Sequence, residues 1–112
     1  MERYDVIIIG AGPAGLTAGL YCGRARLKTL ILDKFLHGGT LLKTEKIEDY
    51  PGFEEITGEE LAERMEKQTR KFSVVIITGT VYEVLTEGDR KIVRTDEVNE
   101  YGAGAVIVAA GG

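Results

Sequence analysis

Val6-Ile7-Ile8-Ile9-Gly10-Ala11-Gly12-Pro13-Ala14-Gly15 is the stretch on which the fold turns. Its opening run is apolar and β-branched without a break, which suits a strand buried on both faces of a parallel sheet. The glycines follow with no spacer. Ala14 to Arg26 then reads as a helix with Leu16, Leu20 and Leu27 directed inward, and a second apolar run, Thr29-Leu30-Ile31-Leu32, ends on Asp33. Strand, glycine turn, helix and strand within about 30 residues make a βαβ unit. Gly10 permits the tight turn, Gly12 lacks a side chain that would block a pyrophosphate, and Gly15 lets the helix lie close to the strand, with Gly19 extending that contact. Phosphates held there would face backbone N–H groups and the positive end of the helix dipole. Asp33, 18 residues after Gly15, stands where a carboxylate accepts hydrogen bonds from an adenosine ribose and repels a 2′-phosphate. The pattern implies an ADP moiety and leaves FAD and NAD both open.

Outward from this unit, periodicity fades between Lys34 and Thr57, where turn signals gather at Gly38-Gly39 and Pro51-Gly52. A loop of that length in a compact domain is either functional or disordered. Thr57-Gly58-Glu59-Glu60 opens a second helix, with Thr57 as N-cap and Glu60 at the capping-box position. Leu61, Met65 and Phe72, with Ala62 and Thr69, give it a partly apolar face. Val74-Val75-Ile76-Ile77 is a third strand of the buried type. A meander is expected next: Val81 to Leu85, a Glu87-Gly88-Asp89 turn, Ile92 to Thr95, and Val98 to Tyr101, all half-exposed as antiparallel strands are. Ala105 to Ala109 reads as another fully buried strand. The expected architecture is α/β, a Rossmann-like three-layer fold with a parallel central sheet and an antiparallel β-meander.

Composition narrows the function classes. The 112 residues suit one domain, and 44% hydrophobic with 29% charged residues is ordinary globular composition. A net charge of −4 argues against nucleic acid, which needs a basic footprint. No apolar run approaches the roughly 20 residues that span a bilayer, and the first residues lack a signal-peptide layout. One cysteine forms no internal disulfide, so the expected location is cytoplasmic, with no membrane partner. His37 is the only histidine, which leaves no histidine cluster for a metal.

Four segments in order resemble the flavin-binding domain of the low-molecular-weight thioredoxin reductases. Tyr4 to Ala18 is similar to that family's opening strand and helix. Gly38-Gly39-Thr40-Leu41 stands where the family carries Gly-Gly-Gln-Leu, and Glu48-Asp49-Tyr50-Pro51-Gly52 resembles its Glu-Asn-Tyr-Pro-Gly segment. Val108-Ala109-Ala110-Gly111 resembles the strand that ends Ala-Thr-Gly. The resemblance implies FAD as cofactor and assigns positions to it. Gly10, Gly12, Pro13, Ala14 and Gly15 would meet the phosphates, and Asp33 with Lys34 the adenosine ribose. Gly39, Leu41 and Leu42 would line the path to the flavin, with Asp49 facing the ring. Val81 would meet the adenine edge through its backbone, and Ala109 and Gly111 would lie beside the cofactor. Thr40 for Gln, Asp49 for Asn and Ala110 for Thr are departures. A carboxylate at Asp49 disfavours an anionic reduced flavin unless it is protonated or paired.

The resemblance also implies elements expected outside these residues: a nicotinamide domain with a Cys-x-x-Cys pair, and a returning Gly-Asp segment. Cys22, inside the first helix, reads as a small apolar residue rather than a nucleophile. The chain is therefore expected to supply a cofactor cradle as the first segment of a discontinuous domain, incomplete relative to the full flavin domain, with no catalytic residue of its own. Two other readings stand beside this one. One is a non-enzymatic module for ADP, NAD or AMP. The other is a homo-oligomer or partner chain that covers the open sheet edge after Ala109.

Overall fold

The computed structural model describes residues 1–34, 46–96 and 99–110. Along the chain run β1 (Glu2–Ile9), α1 (Pro13–Arg24), β2 (Thr29–Asp33), α2 (Gly58–Arg70), β3 (Val75–Thr78), β4 (Val81–Glu87), β5 (Arg90–Thr95) and β6 (Glu100–Val108). They form one six-stranded sheet in the order β3-β2-β1-β6-β5-β4. The β3-β2-β1-β6 part is parallel, and β6-β5-β4 is antiparallel. This is the α/β arrangement the apolar runs predict, with a parallel core and an antiparallel meander.

The alternating faces of β1 and β2 divide the core into two. Val6, Ile8 and Ile31 pack with Leu16 of α1 and with Val74 and Ile76 on the helix side. Ile7, Leu30 and Leu32 pack on the opposite side with Val93 of β5 and Ala103 of β6. Val93 of β5 and Ala103 of β6 thus share one cluster with the residues on the face of β1 and β2 opposite the helices. The meander thereby becomes the third layer. Each fully buried Leu or Ile contributes about 1.5–3 kcal/mol relative to exposure, and Ile7, Ile8, Leu30, Ile31 and Leu32 all belong to this class. The two helices are tied to each other by Thr69, whose hydroxyl donates to the carbonyls of Met65 at 2.8 Å and Leu16 at 3.1 Å. Thr57 caps α2 as its sequence predicts, accepting from the Glu60 N–H at 3.1 Å.

Five expectations are corrected. The first helix ends at Arg24, not Arg26, because Arg26 takes φ 62°. Its N–H donates to the Gly23 carbonyl at 2.9 Å and the Leu27 N–H donates to that of Cys22 at 3.1 Å. That pair of bonds is a Schellman stop, and it leaves Leu27 41% exposed rather than inward. Val75 is likewise 41% exposed, because β3 is a sheet edge and not a strand buried on both faces. The separate strands expected at Val98–Tyr101 and Ala105–Ala109 are one continuous strand, β6, which pairs with β5 through Glu100–Ala103 and with β1 up to Val108; Val98 itself lies outside the described residues. Within it Ile107 is 37% and Val108 73% exposed, and β5, which pairs only with Glu100–Ala103, stops short of them.

The end of the long loop is ordered by its own small core. Ile47 and Ile56 exchange backbone hydrogen bonds at 2.7 and 3.0 Å, and both pack on Leu61, with Phe53 and Met65 alongside. Among the described residues no helix is long and apolar enough to cross a membrane.

Candidate functional site

The carboxyl ends of β1, β2 and β3 lie side by side, and the turns that leave them form a row of polar groups. In open α/β sheets this edge is where ligands bind. At the centre, Gly10 turns the chain out of β1 with φ 115°, a conformation that L side chains rarely adopt. Its N–H donates to the Leu32 carbonyl at 2.8 Å, holding the turn against β2. A Cβ on Gly10 would meet the Ala109 carbonyl oxygen at 2.6 Å, so Ala109 at the end of β6 closes the other side. Gly15 is required for a different reason: a Cβ there would sit 1.8 Å from the Gly10 carbonyl oxygen. The helix is thus pressed onto the turn.

That contact aims the start of α1 at the strand ends. Gly12 is the N-cap and supplies no side-chain cap, Pro13 has no N–H to satisfy, and the first turn carries no acidic residue. The first intrahelical bond is made by the Leu16 N–H to the Gly12 carbonyl at 2.9 Å. The N–H groups of Ala14 and Gly15 therefore have no partner within the helix, and the positive end of the dipole is unneutralised by any acid of its own turn. Such a terminus suits an anion.

Asp33 joins this turn to the next strand end. Its carboxylate accepts from the Ala11 N–H at 2.5 Å, across 22 residues of sequence. Its carbonyl accepts from the Gly79 N–H at 2.8 Å. Asp33 is half-buried and Lys34, next to it, is exposed. Beyond Gly79, the Thr80 carbonyl accepts from the Asp96 N–H at 3.0 Å, and the Thr80 N–H donates to the Asp96 carboxylate at 3.4 Å. Val81 follows at the start of β4, opposite Thr95.

Of the residues singled out from sequence, Gly10, Gly12, Pro13, Ala14, Gly15, Asp33, Lys34, Val81 and Ala109 all lie at or next to these strand ends. Asp49 is exposed on the loop packed against α2, in the wall of a depression of about 410 Å³ that Tyr50, Pro51 and Phe53 also line. Gly39, Leu41, Leu42 and Gly111 lie outside the described residues, as does His37. The sequence reading missed the backbone of Ala11, the Gly79-Thr80 turn and Asp96. Only Gly79-Thr80, a turn pair between two strand runs, left a local signal.

Charge elsewhere is structural. Arg94 on β5 bridges Glu100 of β6 at 2.5 Å and Glu83 of β4 at 3.0 Å, and these bonds, Glu100 first, raise its already high pKa. Cys22 is half-buried against the helix-side core. Among the described residues no group of three or more His, Cys, Asp or Glu side chains is placed to hold a metal ion.

The chain matches the family model of the pyridine nucleotide-disulphide oxidoreductases over residues 4–112. It is 47% identical to the thioredoxin reductase of Bacillus subtilis (strain 168) over 108 residues, covering 96% of this chain and 34% of that protein. The crystal structure of thioredoxin reductase from Streptococcus pyogenes MGAS5005 superposes with a TM-score of 0.93 at 43% identity, over 97% of this chain and 35% of the other. That of T. acidophilum thioredoxin reductase gives 0.93 at 30% identity, over 99% and 36%. The chain thus spans about a third of the length of the curated relatives it matches. With the glycine turn, the helix start and Asp33 in the positions described, the chain belongs to the pyridine nucleotide-disulphide oxidoreductase family, as a segment homologous to the N-terminal part of thioredoxin reductases.

Proposed function

We propose that these residues are the first segment of a discontinuous FAD-binding domain in a thioredoxin-reductase-like flavoprotein. Its role is to hold the adenosine and pyrophosphate half of the cofactor. The observation that carries this reading is the bond from the Ala11 N–H to the Asp33 carboxylate, beside a helix start with neither cap nor acid. A pyrophosphate fits against Gly12, Pro13, Ala14 and Gly15, and the carboxylate of Asp33 at the end of β2 stands where a ribose diol would donate to it. Lys34 adds a positive charge beside it. Val81 and Ala109 flank the cofactor on the β4 and β6 sides, and Gly111 continues from Ala109. Gly39, Leu41, Leu42 and Asp49 serve the flavin half. FAD, when bound, supplies the redox chemistry, while these residues bind, orient and set local charge. In the longer protein, electrons would pass from a nicotinamide through FAD to a disulfide.

Absorbance and fluorescence titration with FAD tests the reading. Saturable binding at micromolar FAD supports it, and a chain that neither retains flavin nor binds it at that concentration overturns it. A second reading, an adenine-nucleotide module, is favoured by one observation: the hydrogen-bonded row from Ala11 to Asp96 lies wholly on the adenosine side. Competition separates the two. ADP that displaces FAD with nearly equal affinity selects the nucleotide module.

A further inference from the structure

We propose that Asp96 is a positioning residue that sets the base selectivity of this site; the proposal rests on the nucleotide reading above. The strand ends of β1, β2 and β3 are neighbours, and adjacent strands lie about 4.8 Å apart. A ligand with its pyrophosphate at the glycine turn and its ribose at Asp33 therefore carries its base to the Gly79–Val81 segment.

That segment has a donor and an acceptor to offer. Thr80 and Asp96 face each other as a hydrogen-bonded pair: the Asp96 N–H donates to the Thr80 carbonyl at 3.0 Å, and the carboxylate of Asp96 receives the Thr80 N–H at 3.4 Å in place of a main-chain carbonyl. Antiparallel pairs alternate between bonded and non-bonded positions, so the next pair, Val81 and Thr95, is a non-bonded one. Thr95 agrees with this alternation, since its N–H turns the other way, to the Asn99 carbonyl at 3.0 Å. The N–H and C=O of Val81 consequently point away from β5, to the outer side of the edge strand β4.

A backbone N–H next to a C=O matches adenine, whose N1 accepts and whose 6-amino group donates. Hypoxanthine presents the reverse pattern, with N1–H and O6, and sets donor against donor and acceptor against acceptor. The match depends on how the Thr80–Val81 peptide is oriented. Gly79 is fixed by its bond to the Asp33 carbonyl at 2.8 Å, and a Cβ added there would meet Leu32 at 3.3 Å and buried Thr95 at 3.6 Å. Past Gly79, the side chain of Asp96 is the group that fixes the Thr80 N–H. It touches no part of the nucleotide and acts through Val81.

The test measures ADP and IDP dissociation constants by titration calorimetry on the 112-residue chain and on Asp96→Ala and Asp96→Asn. The unmodified chain is expected to prefer ADP. Asp96→Ala should weaken ADP about five- to ten-fold, the worth of one net hydrogen bond, and leave IDP within about two-fold, so that the preference collapses. Asp96→Asn keeps an oxygen acceptor for the Thr80 N–H and should restore most of it. Equal weakening of ADP and IDP in Asp96→Ala assigns the residue a purely structural role and overturns the proposal, as does an unchanged ADP/IDP ratio. An unmodified chain that binds neither nucleotide overturns the nucleotide reading itself. One that binds both equally leaves that reading standing and removes only the selectivity proposed for Asp96.

Discussion

Replacing Gly15 by alanine sets two physical effects of opposite sign against each other. Within a helix alanine is favoured over glycine by up to about 1 kcal/mol, an upper bound for Gly15 in the first turn of α1, so local propensity alone predicts a more stable chain. The structure predicts the reverse. The added Cβ would lie 1.8 Å from the Gly10 carbonyl oxygen and 2.8 Å from its carbon, whereas an unstrained carbon-to-oxygen contact needs about 3.3 Å. The atoms must separate by roughly 1.5 Å. Neither partner is a side chain that can rotate away. The turn is anchored by the Gly10 N–H to Leu32 at 2.8 Å and by the Ala11 N–H to Asp33 at 2.5 Å, so the start of α1 has to lift. Overpacking costs about 1–3 kcal/mol where side chains can adjust, and a backbone obstruction belongs at the top of that range. Setting about 3 kcal/mol against the 1 kcal/mol of propensity leaves a net loss of about 2 kcal/mol. The melting temperature should fall by about 8 °C or more, and the urea midpoint should drop with little change in slope. A midpoint unchanged or raised, with the slope intact, would refute the packing argument.

Arg26→Gly should stabilise the chain by about 0.5–1 kcal/mol, because position 26 closes a Schellman stop at φ 62° and glycine carries no penalty there; a lower urea midpoint would contradict that. The phenol of Tyr4 is held protonated beyond its ordinary range, by burial first and then by its hydrogen bond to Glu2 and the charge of that carboxylate. Its folded pKa is raised, so its contribution is complete below about pH 10 and is lost as the pH climbs above it, where the unfolded chain releases the proton first. Stability should therefore decline above about pH 10 and decline less steeply in Tyr4→Phe; identical alkaline slopes for the two chains would count against this account.

The opening βαβ unit was legible because its signals are local: an unbroken β-branched run, glycines at fixed spacing and an acid at the end of β2. What was not legible depends on pairing. Gly102-Ala103-Gly104 reads as a break between two strands, yet β6 runs straight through it. The glycines mark close approach rather than a turn, and a Cβ on Gly104 would come within 3.1 Å of the Asp5 carbonyl oxygen. Ile107 and Val108 carry the composition of a buried strand, but burial is set by what lies over a residue, and no single-strand pattern encodes that. The Ile47–Ile56 pairing was hidden for a related reason, since two isoleucines nine residues apart carry no period. In the site, Asp33 and Val81 were placed from the motif and the resemblance. Asp96 was not, because its role arises only when the meander brings it opposite Thr80.

The central claim is that the strand-end row from the glycine turn to Asp33 is the adenosine cradle for FAD. Fluorescence titration of FAD into the chain and into Asp33→Ala addresses it directly. Micromolar binding to the unmodified chain is expected, weakened at least about ten-fold in Asp33→Ala by loss of a charged ribose acceptor. No saturable binding at micromolar FAD, or equal affinity in the two chains, would contradict it.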